Sequence, residues 1–233
     1  MRLRHAAATL AAVLLLAGCT GGAASTAPPA SVGASAAAAA SSSAASAGAA
    51  GPDLSSCPTS QPPALPAGQT RTVTISTSKG SIAIQVIGSL SPIAAGNFVA
   101  LAQCGYYTGV VFHRLVPGFV IQGGDGTYGR EPNVDMTNVG TGGPNYTIQD
   151  EPVTGTYTRG TVAMAKTSQP NSANSQFFIV LANIQLSPNY QIFGHVTSGM
   201  DVVDAIAAMP NSGAPNNTAL QPVAMDQVTV STP

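Results

Sequence analysis

Between residues 71 and 233 the apolar positions recur in two rhythms. They alternate in Arg71–Thr77, with Val73 and Ile75, and again in Ser81–Ile87, with Ile82, Ile84 and Val86; Ser78-Lys79-Gly80 separates the runs. Alternation, turn, alternation predicts a β-hairpin. From Ser91-Pro92 the period changes. Ala94, Phe98 and Leu101 fall at helical spacing until Gly105, with Ser91 offered as N-cap and Pro92 at the first helical position. A second helix is predicted after Ser198-Gly199, with Val202, Val203, Ile206 and Met209 on one face and Pro210 as its stop. The runs GVVFHRL, GFVIQ, GTVAMA, SQFFIVLA and QIFGHV, bounded by Gly, Pro and Asn, are too short for helices and read as strands, as does the final PVAMDQVTV. The pattern therefore predicts a mainly β fold: a closed eight-stranded antiparallel β-barrel capped by two α-helices. The Gly/Pro/Asn-rich connection from Thr127 to Thr147 is long for a simple link, and loops of that length usually serve a site.

The composition ahead of this domain is different. Residues 1–18 combine a basic start with an apolar run of twelve residues from Ala6 to Ala17, too short to span a bilayer and typical of a secretory signal. Leu16-Ala17-Gly18-Cys19 at its end resembles the lipobox of bacterial lipoproteins, which implies that Cys19 becomes a lipid-bearing N-terminus. Residues 19–70 are rich in Ala, Ser, Gly and Pro, carry one charge before Arg71, and predict a disordered tether. Together these features place a compact domain, residues 71–233, on the extracytoplasmic face of a cell membrane, held by its N-terminal lipid. Two further cysteines remain. Export to an oxidising space favours a Cys57–Cys104 disulfide over a free buried thiol.

Only 7% of the residues are charged, and loss of residues 1–18 leaves a formal charge near −3. With no basic run, the chain is not built to hold nucleic acid. Gly124-Asp125-Gly126-Thr127-Tyr128-Gly129 fits G-x-G-x-x-G, but no helical pattern follows to receive a pyrophosphate, so it reads as a tight turn. His113 and His195, the two histidines of the domain, sit apart in strand-like runs and read as satisfied core residues. They offer neither a nucleophile's base nor metal-ligand spacing.

One stretch stands out against this charge economy: FHRLVPGFVIQGGD, residues 112–125, sets Arg114 in an almost unbroken apolar run. Together with MAKTSQPNSANSQFFIVL and QIFGHV, it resembles the cyclophilin-type peptidyl-prolyl isomerases over essentially all of residues 71–233. The resemblance implies the barrel with two capping helices and the following roles. Arg114 matches the catalytic arginine, Phe119 and Gln122 the phenylalanine and glutamine of the substrate pocket, and Val120 a position commonly held by methionine. Ala165, Gln176 and Phe178 match substrate-groove positions, as do Leu186 and Tyr190 further on. Lys166 departs from a common asparagine, Gln185 from a common tryptophan and Tyr190 from a common histidine. The loss of the tryptophan implies weak binding of cyclosporin.

An isomerase of this kind needs no cofactor and no metal. Peptide-bond rotation is opposed by conjugation of the nitrogen lone pair with the carbonyl, and an always-charged guanidinium can hydrogen-bond the twisted prolyl nitrogen more strongly than the planar one. The implied partners are proline-containing polypeptides, met by a monomer. A rival reading keeps the barrel as a non-catalytic proline-peptide-binding module, with Lys166 as its support.

Overall fold

A computed structural model describes residues 52–232. Nine strands form one antiparallel sheet: β1 (Thr70–Thr77), β2 (Gly80–Ile87), β3 (Val111–Val116), β4 (Val120–Gly123), β5 (Thr161–Met164), β6 (Phe177–Val180), β7 (Ile192–Ser198), β8 (Thr218–Ala224) and β9 (Gln227–Ser231). Their order across the sheet is β8-β3-β4-β6-β5-β7-β2-β1-β9. Two helices, α1 (Pro92–Gln103) and α2 (Met200–Ala207), pack on the curl from different strands: α1 on β1, β2, β7 and β9, α2 on β2, β3 and β4.

The closed eight-stranded barrel expected from the pattern is replaced by a curled half-barrel of nine strands. The difference lies in PVAMDQVTV, which is two strands and not one. The Met225 amide still bonds Val110 O, 2.9 Å, on the β3 side, while the next amide, Asp226, bonds Ser76 O, 2.8 Å, in β1. The chain thus steps at one residue from one sheet edge to the other, β8 pairing with β3 and β9 with β1. Among the described residues no ladder joins β8 to β9. The two edges are brought together by chain connectivity, with Met225 wholly buried at the corner.

The interior is filled by inward residues of every strand and plugged by α1. Phe98 lies 4.7 Å from Phe193, 5.1 Å from Phe177 and 5.2 Å from Tyr107 between ring centroids. Full burial of such a ring stabilises by about 1.5–3 kcal/mol. The helix starts where predicted, but its cap is supplied from elsewhere. Ser91 makes no capping hydrogen bond; the Ile93 and Ala94 amides donate to the two carboxylate oxygens of Glu151, at 2.8 and 3.0 Å. A carboxylate there also complements the positive end of the helix dipole.

The folded domain begins earlier than the expected boundary at residue 71. Leu54 and Cys57 pack against the core, and Leu65 is only 6% exposed within it. The Leu65 amide bonds Pro92 O, 2.9 Å, and the Gly88 amide bonds Gln69 O, 3.0 Å. Glycine at position 96 is required by this strap: a Cβ there would lie 2.2 Å from Pro63 O. Residues 52–69 therefore belong to the domain and not to the tether. The rest of the tether, the signal sequence and Cys19 lie outside the described residues. Among the described residues no helix is long and apolar enough to cross a membrane.

Cys57 and Cys104 form the expected disulfide, with Cα atoms 5.1 Å apart, and it ties the strap to the end of α1. Closing a loop across a separation of 47 residues restricts the unfolded chain, worth about 4 kcal/mol in the chain-entropy model. Reduction, or Cys104→Ala, should lower the unfolding free energy by about that amount in urea titrations; equal stability with and without reductant would show that the strap is held by packing alone.

Candidate active site

Strands buried on one face alternate, but β5 and β6 read as buried, mostly apolar runs because both of their faces are covered, and β4 does so up to Gln122. Ile121, Val162, Met164, Phe177 and Ile179 point into the interior. Val120, Ala163, Phe178 and Val180 point outward, into a second apolar cluster with Tyr157 and Ile192. The site is built on that outer face.

What turns Arg114 outward is a bulge. Phe112 pairs with Gly123 and Arg114 with Gln122, leaving His113 as the extra residue on β3. The inserted residue shifts the parity of the strand, so that Phe112 and Leu115, three apart, both enter the core. Bulges of this kind re-aim side chains beside sites. Register then sets a row: Arg114 opposite Gln122, Gln122 opposite Phe178, and Phe178 opposite Ala163. Val120 and Val180 form the next row.

Around these rows lies a cavity of about 240 Å³ lined by Arg114, Phe119, Val120, Gln122, Ala165, Lys166, Phe178, Leu186 and Tyr190. These are nine of the ten pocket residues predicted from the sequence. The tenth, Gln176, lines the adjoining depression with Gln122, Ala165 and Lys166. One end of the cavity is walled by a polar chain: Arg114 Nη1 donates to Gln122 Oε1, 3.4 Å, and Gln122 Nε2 to Gln176 Oε1, 3.1 Å. Among the described residues no carboxylate lies within ion-pair distance of Arg114. The opposite wall is aromatic and apolar, with Phe178 edge-on to Tyr190, 5.5 Å between centroids.

Lys166 is not free. Its Nζ donates to Asp150 Oδ2, which also accepts the Asn171 amide at 2.9 Å. Burial works against the Asp150 carboxylate, yet these donors outweigh it and hold it below its usual range. Two contributors to the site carried no signal in the sequence. Tyr157 accepts the Tyr190 amide, 3.1 Å, and donates to Tyr190 O, 2.9 Å, pinning the segment that carries Leu186 and Tyr190. Asp125, wholly buried beneath the long loop, is the other.

His113 departs from its expected role as a satisfied core residue. It is 3% exposed, and neither ring nitrogen has a hydrogen-bond partner in the structure. Burial keeps the imidazole neutral and pushes its pKa down to about 4, against the charge of Asp125, which raises it. His113 is not among the residues lining the cavity, so this histidine is not arranged as a catalytic base.

The same architecture occurs in known proteins. Residues 72–230 match the family model described as cyclophilin type peptidyl-prolyl cis-trans isomerase/CLD. A peptidyl-prolyl cis-trans isomerase of Acinetobacter baylyi is 41% identical over 167 residues, covering 68% of this chain and 84% of the relative. Peptidyl-prolyl cis-trans isomerase B of Escherichia coli is 38% identical over 171 residues, 68% of this chain and 99% of the relative. A crystal structure of a Cryptosporidium parvum cyclophilin type peptidyl-prolyl cis-trans isomerase in the presence of the dipeptide Ala-Pro is 30% identical, with a TM-score of 0.60 over 70% of this chain and 99% of that one. The chain belongs to the cyclophilin-type peptidyl-prolyl cis-trans isomerases.

The buried imidazole has a consequence for acid stability. Its folded pKa of about 4 lies below the ordinary 6.5, so between those values the unfolded chain binds the proton and the folded one does not. The contribution is complete above pH 6.5 and is lost as the pH falls toward 4. Relative to His113→Leu, the wild type should gain about 3 kcal/mol of unfolding free energy between pH 4 and pH 7. Urea denaturation of both proteins across that range checks it; parallel curves would mean that the His113 pKa is the same in the folded and unfolded chains.

Proposed function

We propose that this isomerase is an exported, lipid-anchored protein that speeds the folding of polypeptides outside the cytoplasmic membrane by rotating Xaa-Pro bonds with Arg114 as the catalytic group. The observation that carries the chemistry is a guanidinium with no carboxylate partner among the described residues, set in the wall of an apolar cavity. Peptide bonds resist rotation by about 18–20 kcal/mol. Holding the lone pair on the prolyl nitrogen weakens conjugation, and the fixed fork of donors on Arg114 favours the twisted nitrogen over the planar one. A neighbouring carboxylate would compete for those donors; Gln122 takes only one, and at 3.4 Å.

The proline ring must be held while the preceding carbonyl turns. Phe119, Val120, Phe178 and Leu186 form an apolar socket suited to it, and an apolar, water-poor site strengthens the arginine's hydrogen bond. Gln122 and Gln176 orient Arg114, and Ala165, Lys166 and Tyr190 border the path of the flanking peptide. Lys166, tied to Asp150, bears on which neighbouring residues are preferred more than on the rate. Cyclosporin binding is weak in this reading: Gln185 is solvent-exposed, is not part of the cavity wall, and offers an amide where a large apolar ring would add contact area.

Arg114→Ala should lose on the order of 3 kcal/mol of transition-state stabilisation, about a hundredfold in kcat/KM for cis-to-trans conversion of a short Xaa-Pro peptide, with the fold intact. Arg114→Lys should remain impaired, because an ammonium keeps the charge without the planar fork. A folded wild type that binds proline peptides and leaves isomerisation at its uncatalysed rate would favour the docking-module reading instead.

The anchoring part of the proposal rests on the lipobox-like Leu16-Ala17-Gly18-Cys19 after an apolar run of twelve residues. Cys19→Ala should move the protein from the membrane to the soluble fraction on cell fractionation. Unchanged partitioning would refute the lipid anchor.

A further inference from the structure

Asp125 is fully buried and, among the described residues, forms no ion pair. Four backbone amides satisfy its carboxylate instead. Thr127 and Tyr128 donate to Oδ1 at 3.0 and 2.9 Å; Gly140 and Gly142 donate to Oδ2 at 2.7 and 2.9 Å. The carboxylate therefore folds the long loop back on itself, and the fit leaves no room for change: a Cβ on residue 142 would lie 2.5 Å from Asp125 Oδ1.

The two glycines whose amides face Asp125 turn their carbonyls the other way. Both accept from Gln176 Nε2, Gly140 O at 3.0 Å and Gly142 O at 2.9 Å. This fixes the sense of a whole chain of amides. A carboxamide has a donor end and an acceptor end, and either can face a neighbour unless its surroundings choose. Two carbonyls hold the NH₂ of Gln176, so its oxygen faces Gln122 and accepts from Nε2 at 3.1 Å. The oxygen of Gln122 is thereby left for Arg114, whose guanidinium can only donate. Reverse Gln122 and an NH₂ group would face the guanidinium; reverse Gln176 and its NH₂ would face that of Gln122, donor against donor in either case.

We propose that Asp125 is a positioning residue for the isomerisation: by holding the carbonyls of Gly140 and Gly142 toward Gln176, it sets the amide direction that presents an acceptor, and not a donor, to Arg114. The proposal rests on the reading of Arg114 as the catalytic group.

The test uses the full mature chain. Asp125→Asn keeps the size of the side chain but replaces one acceptor oxygen with an NH₂ facing two backbone donors. It should lower kcat/KM about tenfold, with most of the loss in kcat and KM within about twofold. In a Gln122→Met background, where the relay is already cut, the same substitution should cost less than about twofold. The side-chain NH₂ signals of Gln122 and Gln176 should exchange slowly with water in the wild type and freely in Asp125→Asn. A carboxylate that only staples the loop would lower Tm while leaving kcat/KM unchanged, or would lower it by the same factor in both backgrounds. Either result overturns the proposal. Should Asp125→Asn fail to fold, Gly142→Ala, which keeps the carboxylate and displaces the carbonyl, carries the same cycle with the same expected outcomes. Full activity in Arg114→Ala would remove the catalytic reading itself, whereas an inactive Arg114→Ala beside a fully active Asp125→Asn would remove only the positioning role.

Discussion

A strand that faces water on one side spends every second residue on polarity; β5 and β6 cannot, because the half-barrel interior covers one face and the outer apolar cluster covers the other. In the proposed function the outer face is the substrate groove, so the floor of the site is also a packed apolar cluster. A proline peptide bound there would meet a surface packed from beneath, with Phe178 between Gln122 and Ala163 in adjacent strands. That rigidity is what a reaction without a nucleophile requires. Its rate depends on where a donor is held, and a small misplacement weakens selectivity for the twisted nitrogen.

Within that floor the arginine is an exception to the economy of charge, and the acidic groups around the site are kept from neutralising it. Glu151 caps α1 and accepts from Gln191, Asp150 holds Lys166, and Asp125 is enclosed by four amides. Each of these three carboxylates is occupied by donors other than Arg114. Neutral carboxamides intervene instead, and they orient a guanidinium without drawing off its charge.

Local order was readable where the local sequence carries the whole cause. The alternation of Val73, Ile75, Ile82 and Ile84 is the hairpin β1–β2, and the spacing of Ala94, Phe98 and Leu101 is the buried face of α1. Reading failed where the cause is a partner distant in the chain. PVAMDQVTV looks like one strand because nothing within it marks the step between sheet edges at Met225 and Asp226. Ser91 has the chemistry of a cap, yet a carboxylate 58 residues beyond Ile93 supplies it. The proline-rich segment from Pro62 to Pro66 has the composition of a linker, and the burial of Leu65, its amide bond to Pro92 O, the glycine clearance on α1 and the disulfide make it part of the domain.

For the site itself, the sequence determined which residues are present: an arginine in an apolar run, two glutamines, and aromatic and aliphatic groups in ordered motifs whose resemblance to a family named the chemistry. It could not determine where they point. Simple alternation puts Phe112 and Arg114 on one face, and the bulge at His113 separates them, sending the ring inward and the guanidinium outward. Nor could it reveal that Asp125, inside a glycine-rich turn, would govern the loop that orients Gln176. Residue identity is local information, whereas side-chain direction depends on register and on hydrogen bonds closed across the sheet, and those exist only once the chain has folded.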